Sequence, residues 1–383
     1  MNNSLFTCVV IILLLFCSQS QRFEHFVSFV KATVSTIKKP VDHVKMKRCR
    51  TAGVSAIEKN VWSKFKQVDD ESWDLFVPCG YTYVENELAE NDHFHHKKSG
   101  HVLGIPNADS FAAKDRVWKM LERKYGREGA TQYMPQTWVT YEKEDMINYF
   151  QYAKSHANEL YIMKKNVQQQ QGLHIFSDLS EGLEAFERKY VVIQKVLRDP
   201  FIINGRKINI RVYVLIVCHK GKKSFYIYDD GFVYYSKAMY NSGTSRDEII
   251  TSGYLSRDVY ENSPLTTKDF LRYLDEKHGS TAVGRFIESR NEVFRGFMEA
   301  AKDNFCLSDK IPSDVIFAQS FGVDLQPDKN LDVKILEWNK GQSLEIMDTR
   351  DGQVKQKMID DIYRTLGLVQ DGVYSGFIKV WQG

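Results

Sequence analysis

Along 206–217 apolar and polar positions alternate with a period of two. Lys207, Asn209 and Arg211 fall on one face, and Ile208, Ile210, Val212 and Val214 on the other. That pattern predicts a strand whose apolar face is buried. Three polar side chains on its other face, two of them cationic, suit either a cleft that handles anions or an ordinary outward sheet face. Shorter strand-like runs lie at 137–140, 161–165, 173–176 and 191–194. Helical periodicity appears at 115–125, through Val117, Leu121 and Tyr125. It returns in the stripe Phe294, Phe297, Ala301, Phe305 and again in Val354, Met358, Ile362, Leu366. Both stripes read as core packing.

Near the end, the run Val315-Ile316-Phe317-Ala318 leads into Gly322-Val323-Asp324, and Pro327-Asp328-Lys329-Asn330 reads as a turn. A return strand from Val333 to Trp338 then places Glu337 and Asn339 on one face, with Leu336 and Trp338 on the other. A turn centred near Lys329 and Asn330 puts Asp324 opposite Ile335 and diagonal to Glu337, a spacing of ~7–8 Å. Asp324, Glu337 and Asn339 together offer the oxygen donors Mg²⁺ prefers. A hairpin with solvent-facing acids is the alternative.

Two lysines, Lys164 and Lys165, end the strand that begins at Tyr161, and the polar loop 166–171 runs to Gly172. A lysine at a strand end beside a glycine-terminated loop is one way to grip phosphate, because backbone N–H groups and a point charge converge there. The pattern G-x-x-x-x-G-K-[ST] is absent.

The chain has 383 residues, 26% charged and 43% hydrophobic, enough for two or three domains and a large core. A net charge of +3 gives no global field for nucleic acid. Cys49, Cys79, Cys218 and Cys306 are widely scattered, so spacing supports neither a disulfide framework nor a zinc site. Residues 5–17 form an apolar run too short for a typical bilayer span. A signal-peptide core and a short anchor with a cytoplasmic C-terminal side both remain open. The basic stretch 22–50 reads as a solvated arm or a dock for an acidic partner, and the histidines at 93, 95, 96 and 101 as an exposed loop.

The segment 165–175, the run Val192-Ile193-Gln194-Lys195, the spacing Lys207-x-Asn209-x-Arg211 and the close Gly322-Val323-Asp324 with Leu336-Glu337-Trp338-Asn339 share one order. With Lys114-Asp115 and Pro135-Gln136-Thr137-Trp138 upstream, they resemble the tubulin–tyrosine ligase-like family over about 100–370. The resemblance implies an α+β, ATP-grasp-like fold with mixed and antiparallel sheets, flanking helices and a smaller N-terminal domain. The chain then divides into an apolar leader at 1–21, a basic and small N-terminal domain at 22–100, and a central ATP-grasp subdomain at 101–195. A C-terminal subdomain at 196–370 and a tail at 371–383 complete the division.

It also implies an ATP- and Mg²⁺-dependent carboxylate–amine ligase that adds a free amino acid to tubulin or another acidic-tailed protein through an acyl phosphate. Lys165 carries over as a phosphate contact with the loop end Gln171 and Gly172, and Lys114 as a second. Gln194 and Lys195 fall at the adenine and Lys207 beside the ribose. Arg211 stands near the reacting phosphate or carboxylate, so Arg211, Lys207 and Asn209 form the catalytic face. Asp324, Glu337 and Asn339 become the metal ligands. Against the family pattern, Asn209 stands in place of aspartate and Tyr234 in place of arginine, while His174, Asn166 and Gln342 replace a glycine and two prolines. These departures admit a rival, a catalytically impaired relative that binds nucleotide or tubulin. Because tubulin and abundant ATP are cytoplasmic, the expected place is the cytoplasm, with a membrane tether through 5–17 left open.

Overall fold

Long β-branched and aromatic runs in the second half of the chain build the floor on which the cleft stands. The computed structural model describes residues 44–50, 54–80, 84–89, 99–166, 172–241, 243–306 and 314–383. The leader, most of the basic arm, His93, His95, His96 and Gln171 lie outside these residues. His43–Gly383 forms one unit.

The strands, in chain order, are β1 (Lys45–Arg48), β2 (Lys66–Gln67), β3 (Leu75–Val77), β4 (Gly100–Val102) and β5 (Thr137–Val139). Next come β6 (Tyr161–Lys164), β7 (Leu173–Phe176), β8 (Val192–Lys195), β9 (Ile202–Ile203) and β10 (Arg206–His219). The last five are β11 (Lys222–Ser236), β12 (Thr251–Ser252), β13 (Val315–Pro327), β14 (Val333–Asn339) and β15 (Phe377–Gln382). An 11-stranded sheet runs β12-β11-β10-β13-β4-β3-β1-β2, with β14 on β13, β15 on β11 and β9 on β10. The central ladders are antiparallel, whereas β4 joins β13 in parallel. A separate 4-stranded sheet, β5-β8-β6-β7, is antiparallel throughout. The mixed sheets with helices packed about them agree with the expected α+β, ATP-grasp-like class.

Two expected divisions change. The stretch 22–100 does not stand apart as a small domain from Val44 onward. Its strands β1, β3 and β4 continue the large sheet, and Trp62 Nε1 donates to the hydroxyl of Tyr363 at 2.6 Å. The tail 371–383 is likewise built in, because β15 pairs with β11.

The apolar stripes behave as read. Phe294, Phe297, Ala301 and Phe305 are fully buried. The first three line the inner face of the helix Ser280–Ala301, which Trp338 of β14 meets at 4.4 Å from the ring of Phe297. Met358 and Ile362 anchor the helix Thr349–Thr365 in the same way. Deleting a fully buried phenylalanine from such a core costs about 3–5 kcal/mol.

The cysteines overturn the sequence reading. Cys49 is bonded to Cys79, with Cα atoms 4.6 Å apart, and Cys218 to Cys306, with Cα atoms 6.2 Å apart. The first bond ties the end of β1 to the loop after β3, and the second ties β10 to the chain just past the helix Ser280–Ala301. Separations of 30 and 88 residues hide the pairing from any spacing argument. Closing loops of that size stabilises the native chain by roughly 4 kcal/mol each in the chain-entropy account. No helix among the described residues is long and apolar enough to cross a membrane.

Candidate active site

The polar face of β10 does point into a cleft. Lys207 and Asn209 are 4% and 8% exposed, and with Arg211 they line a cavity of about 920 Å³ between the two sheets. The cavity also takes in Lys164, Gln194, Lys195, Asp324, Glu337 and Asn339. Residues as far apart in the chain as Lys164 and Asn339 are thus brought to one cavity.

The metal trio is closer than the hairpin geometry predicts. Asp324 sits directly opposite Glu337, not Ile335, because a bulge shifts the β13–β14 register between Asp324 and Leu325. Asn339 pairs with Gly322, two places along. Arg211, opposite Asp324 in the β10–β13 ladder, donates from Nε and Nη2 to its two carboxylate oxygens at 2.6 and 3.0 Å. Gly322 leaves room for this guanidinium, since a Cβ there would stand 3.2 Å from Arg211 Nη1. Lys114, at the start of the helix Lys114–Ala130, meets Glu337 Oε1 at 2.8 Å.

Burial raises the Asp324 carboxyl above its usual value against the pull of Arg211, whose own value burial lowers but Asp324 lifts well above the ordinary one. Burial also pushes Glu337 upward, but the adjacent Lys114 ammonium outweighs it and holds the group below the usual carboxylate range.

The two adjacent lysines take different places. Lys164 lines the cavity, 8% exposed, and donates to Gln194 Oε1 at 2.7 Å and to the carbonyl of Leu336 at 3.3 Å. Lys165 is not part of the lining; its ammonium lies 4.9 Å from the Tyr190 ring. Its backbone N–H bonds to Gly172, which has a φ of +70°. Lys164, rather than the expected Lys165, is thus the lysine that faces the cavity.

Gln194, 1% exposed, is fixed from its other end by Thr137, which accepts from Nε2 at 3.0 Å. Lys195 pairs with Glu159 at 2.8 Å on the same side. Lys207 donates to the carbonyl of Ile249 at 2.7 Å. Burial, helped by Lys164, depresses Lys207 to about 7, and burial likewise depresses Lys164 to about 8.

Two of the departures sit together. Tyr234 lies opposite Asn209 in the β10–β11 ladder, lines the same cavity, and places its ring 5.3 Å from the Arg211 guanidinium. Asn209 Oδ1 and Asn339 Nδ2 are buried and make no hydrogen bond to the described residues. Unsatisfied buried polar atoms at a cavity wall are what a polar ligand would complete. With the oxygen donors of Asp324, Glu337 and Asn339 adjacent, the residues fit a magnesium nucleotide. Sequence reasoning missed Arg257, which lines the cavity and pairs with Asp348, donating from Nε at 2.7 Å. It also missed Lys355, which pairs with Asp351 at 2.8 Å. Neither carries a local motif.

Comparison with known proteins adds an independent finding. The sequence model of the Tubulin-tyrosine ligase family matches residues 94–371. Similar curated proteins include a probable tubulin polyglutamylase of Rattus norvegicus, 26% identical over 44% of this chain and 37% of that protein. A tubulin monoglutamylase of Mus musculus is 21% identical over 72% of this chain and 24% of its own length. A tubulin glycylase of Tetrahymena thermophila is 24% identical over 51% and 19% respectively. The chain thus spans well under half of each of these relatives.

Proposed function

The chain belongs to the tubulin–tyrosine ligase family, and on that premise we propose that it is an ATP-dependent ligase that joins an amino acid to an acidic protein segment. The observation that carries this reading is the pairing of Asp324 directly against Glu337, with Arg211, Lys114 and Lys164 gathered around them. Two carboxylates and an asparagine suit Mg²⁺, and the cations suit phosphate and carboxylate. Magnesium-bound ATP would supply the γ-phosphate that activates a carboxylate as an acyl phosphate. Lys164 would grip phosphate, Gln194 and Lys195 would face the base, Lys207 the sugar, and Arg211 the developing charge.

Arg211 also does something to its own sheet. By holding Asp324 in a two-point grip, it fixes the carboxylate that faces Glu337, so orientation precedes binding. The names of the relatives point to glutamate or glycine as the added amino acid and tubulin as the acceptor; tyrosine is the third candidate.

The rival reading, a relative that binds nucleotide without ligating, is favoured by Tyr234 covering Arg211 where the family carries a second arginine. One assay separates them. The full chain is incubated with ATP, magnesium, labelled glutamate, glycine or tyrosine, and as acceptor either tubulin or a glutamate-rich peptide. Transfer of label supports the ligase, and nucleotide binding without transfer supports the rival.

A further inference from the structure

All four cysteines among the described residues are joined, in two bonds that close loops of 30 and 88 residues. One pair is at the surface, with both Cys49 and Cys79 exposed. The other is buried, Cys218 at 3% and Cys306 at 5% exposure. A surface bond faces the redox poise of its surroundings directly, and in a reducing cytosol it would be open. Four cysteines in a scattered set, with every one matched to a partner, mark a chain built to be oxidised.

We infer that this domain matures in an oxidising compartment, the secretory lumen or the cell exterior, and meets its acceptor there. Each bond forms from two thiols, which release two protons and two electrons to a protein or glutathione disulfide acting as oxidant. The apolar run 5–17, followed by Ser18-Gln19-Ser20, is then a secretory leader. The scattered spacing of the cysteines supports no disulfide framework, and the pairing reverses that reading.

The acceptor follows from the compartment, in a step that rests on the ligase reading. It is a glutamate- or aspartate-rich segment of a secreted or luminal protein, rather than a cytoplasmic tubulin tail. Cys49 and Cys79 stand beside Glu87, and these three ligand atoms lie within 4.8 Å of one another. Were the thiols reduced, the trio could chelate zinc. That is the competing chemistry for the same atoms.

The full chain, with its own N-terminus, is expressed in animal cells and denatured in N-ethylmaleimide without reductant. Mass mapping should show no maleimide on Cys49, Cys79, Cys218 or Cys306, and linked peptides for 49–79 and 218–306. In sealed microsomes or culture medium the protein should be protected or secreted. Maleimide on these cysteines, zinc held by the Cys49–Cys79 pair, or a protein digested by external protease overturns the inference. Amino-acid transfer to a synthetic glutamate-rich peptide is measured on the same preparation. Oxidised cysteines without transfer sink the ligase reading alone, and transfer by a fully reduced cytosolic protein sinks this inference alone.

Discussion

Arg211 holds Asp324 by two hydrogen bonds, 2.6 and 3.0 Å long, across the seam between β10 and β13. The carboxylate that would bind the metal is thus also the counter-charge of a guanidinium whose side chain is 15% exposed. Its removal has two effects, and Glu337 shares only one of them.

Asp324→Asn should therefore lose both turnover and stability, the latter by about 3 kcal/mol, because it leaves Arg211 buried beside a neutral amide. Glu337→Gln should lose turnover by on the order of 100-fold. Its stability should change by less than about 1 kcal/mol, since the Glu337 side chain, 31% exposed, is nearer solvent than that of Asp324, 15% exposed. Thermal melts and magnesium-dependent ATP turnover on both variants check this. Equal melting losses would mean that the Arg211 pair is no more buried in effect than the Lys114 pair.

The adjacent lysines give a sharper test. Lys164→Met should weaken ATP by about tenfold or more, the worth of a charge-assisted hydrogen bond to phosphate. Lys165→Met should stay within about twofold, because Lys165 lies on Tyr190 outside the cavity. Fluorescent-nucleotide titration reads both, and the reverse order would put the phosphate on the other side of β6.

This pair also shows what the sequence could and could not convey. In β10 the alternation was legible, because Ile208, Ile210, Val212 and Val214 are core while the facing side chains are polar. In β6 all four residues are buried, so no period marks which lysine turns inward. The trio Asp324, Glu337 and Asn339 was legible as a group. The bulge that sets Asp324 against Glu337 was not, because nothing in Leu325 or Leu336 announces an extra residue. The partners of Cys218 and of β15 depend on contacts made far along the chain, which no local pattern encodes.

Tyr234 and Asn209 face each other in register, so they should be exchanged together. Tyr234→Arg alone places a second guanidinium beside Arg211 and should cost about 1–2 kcal/mol in stability with no gain in ligation. Adding Asn209→Asp supplies the missing negative charge and should restore the melting temperature and raise transfer. A double variant no better than the single would mean that the cleft has no use for a cation there.

Lys207, near 7, and Lys164, near 8, make nucleotide binding depend on pH. Both are depressed from 10.5, so between their folded values and 10.5 the unfolded chain holds more protons. The lysine contribution to stability therefore rises with pH across that window and is least favourable below 7. Phosphate reverses the preference by rewarding the charged form. Binding of ATP should take up protons at pH 8 and weaken as pH rises from 7 to 9. Calorimetry in two buffers of different ionisation heat measures the uptake, which should fall in Lys207→Met; proton release would refute the assignment.

The cleft draws Lys164, Gln194 and Lys195 from the four-stranded sheet, and Arg211, Asp324 and Glu337 from the eleven-stranded one. A nucleotide bridging them would work as a strut, setting the angle between two plates that share no strand. Its departure would then require the plates to swing apart. The speed of that swing would lie with the connecting segments 133–136 and 196–200, each stiffened by a proline, Pro135 and Pro200. Loosening either segment would hasten release while every side chain that touches the nucleotide stayed as it is.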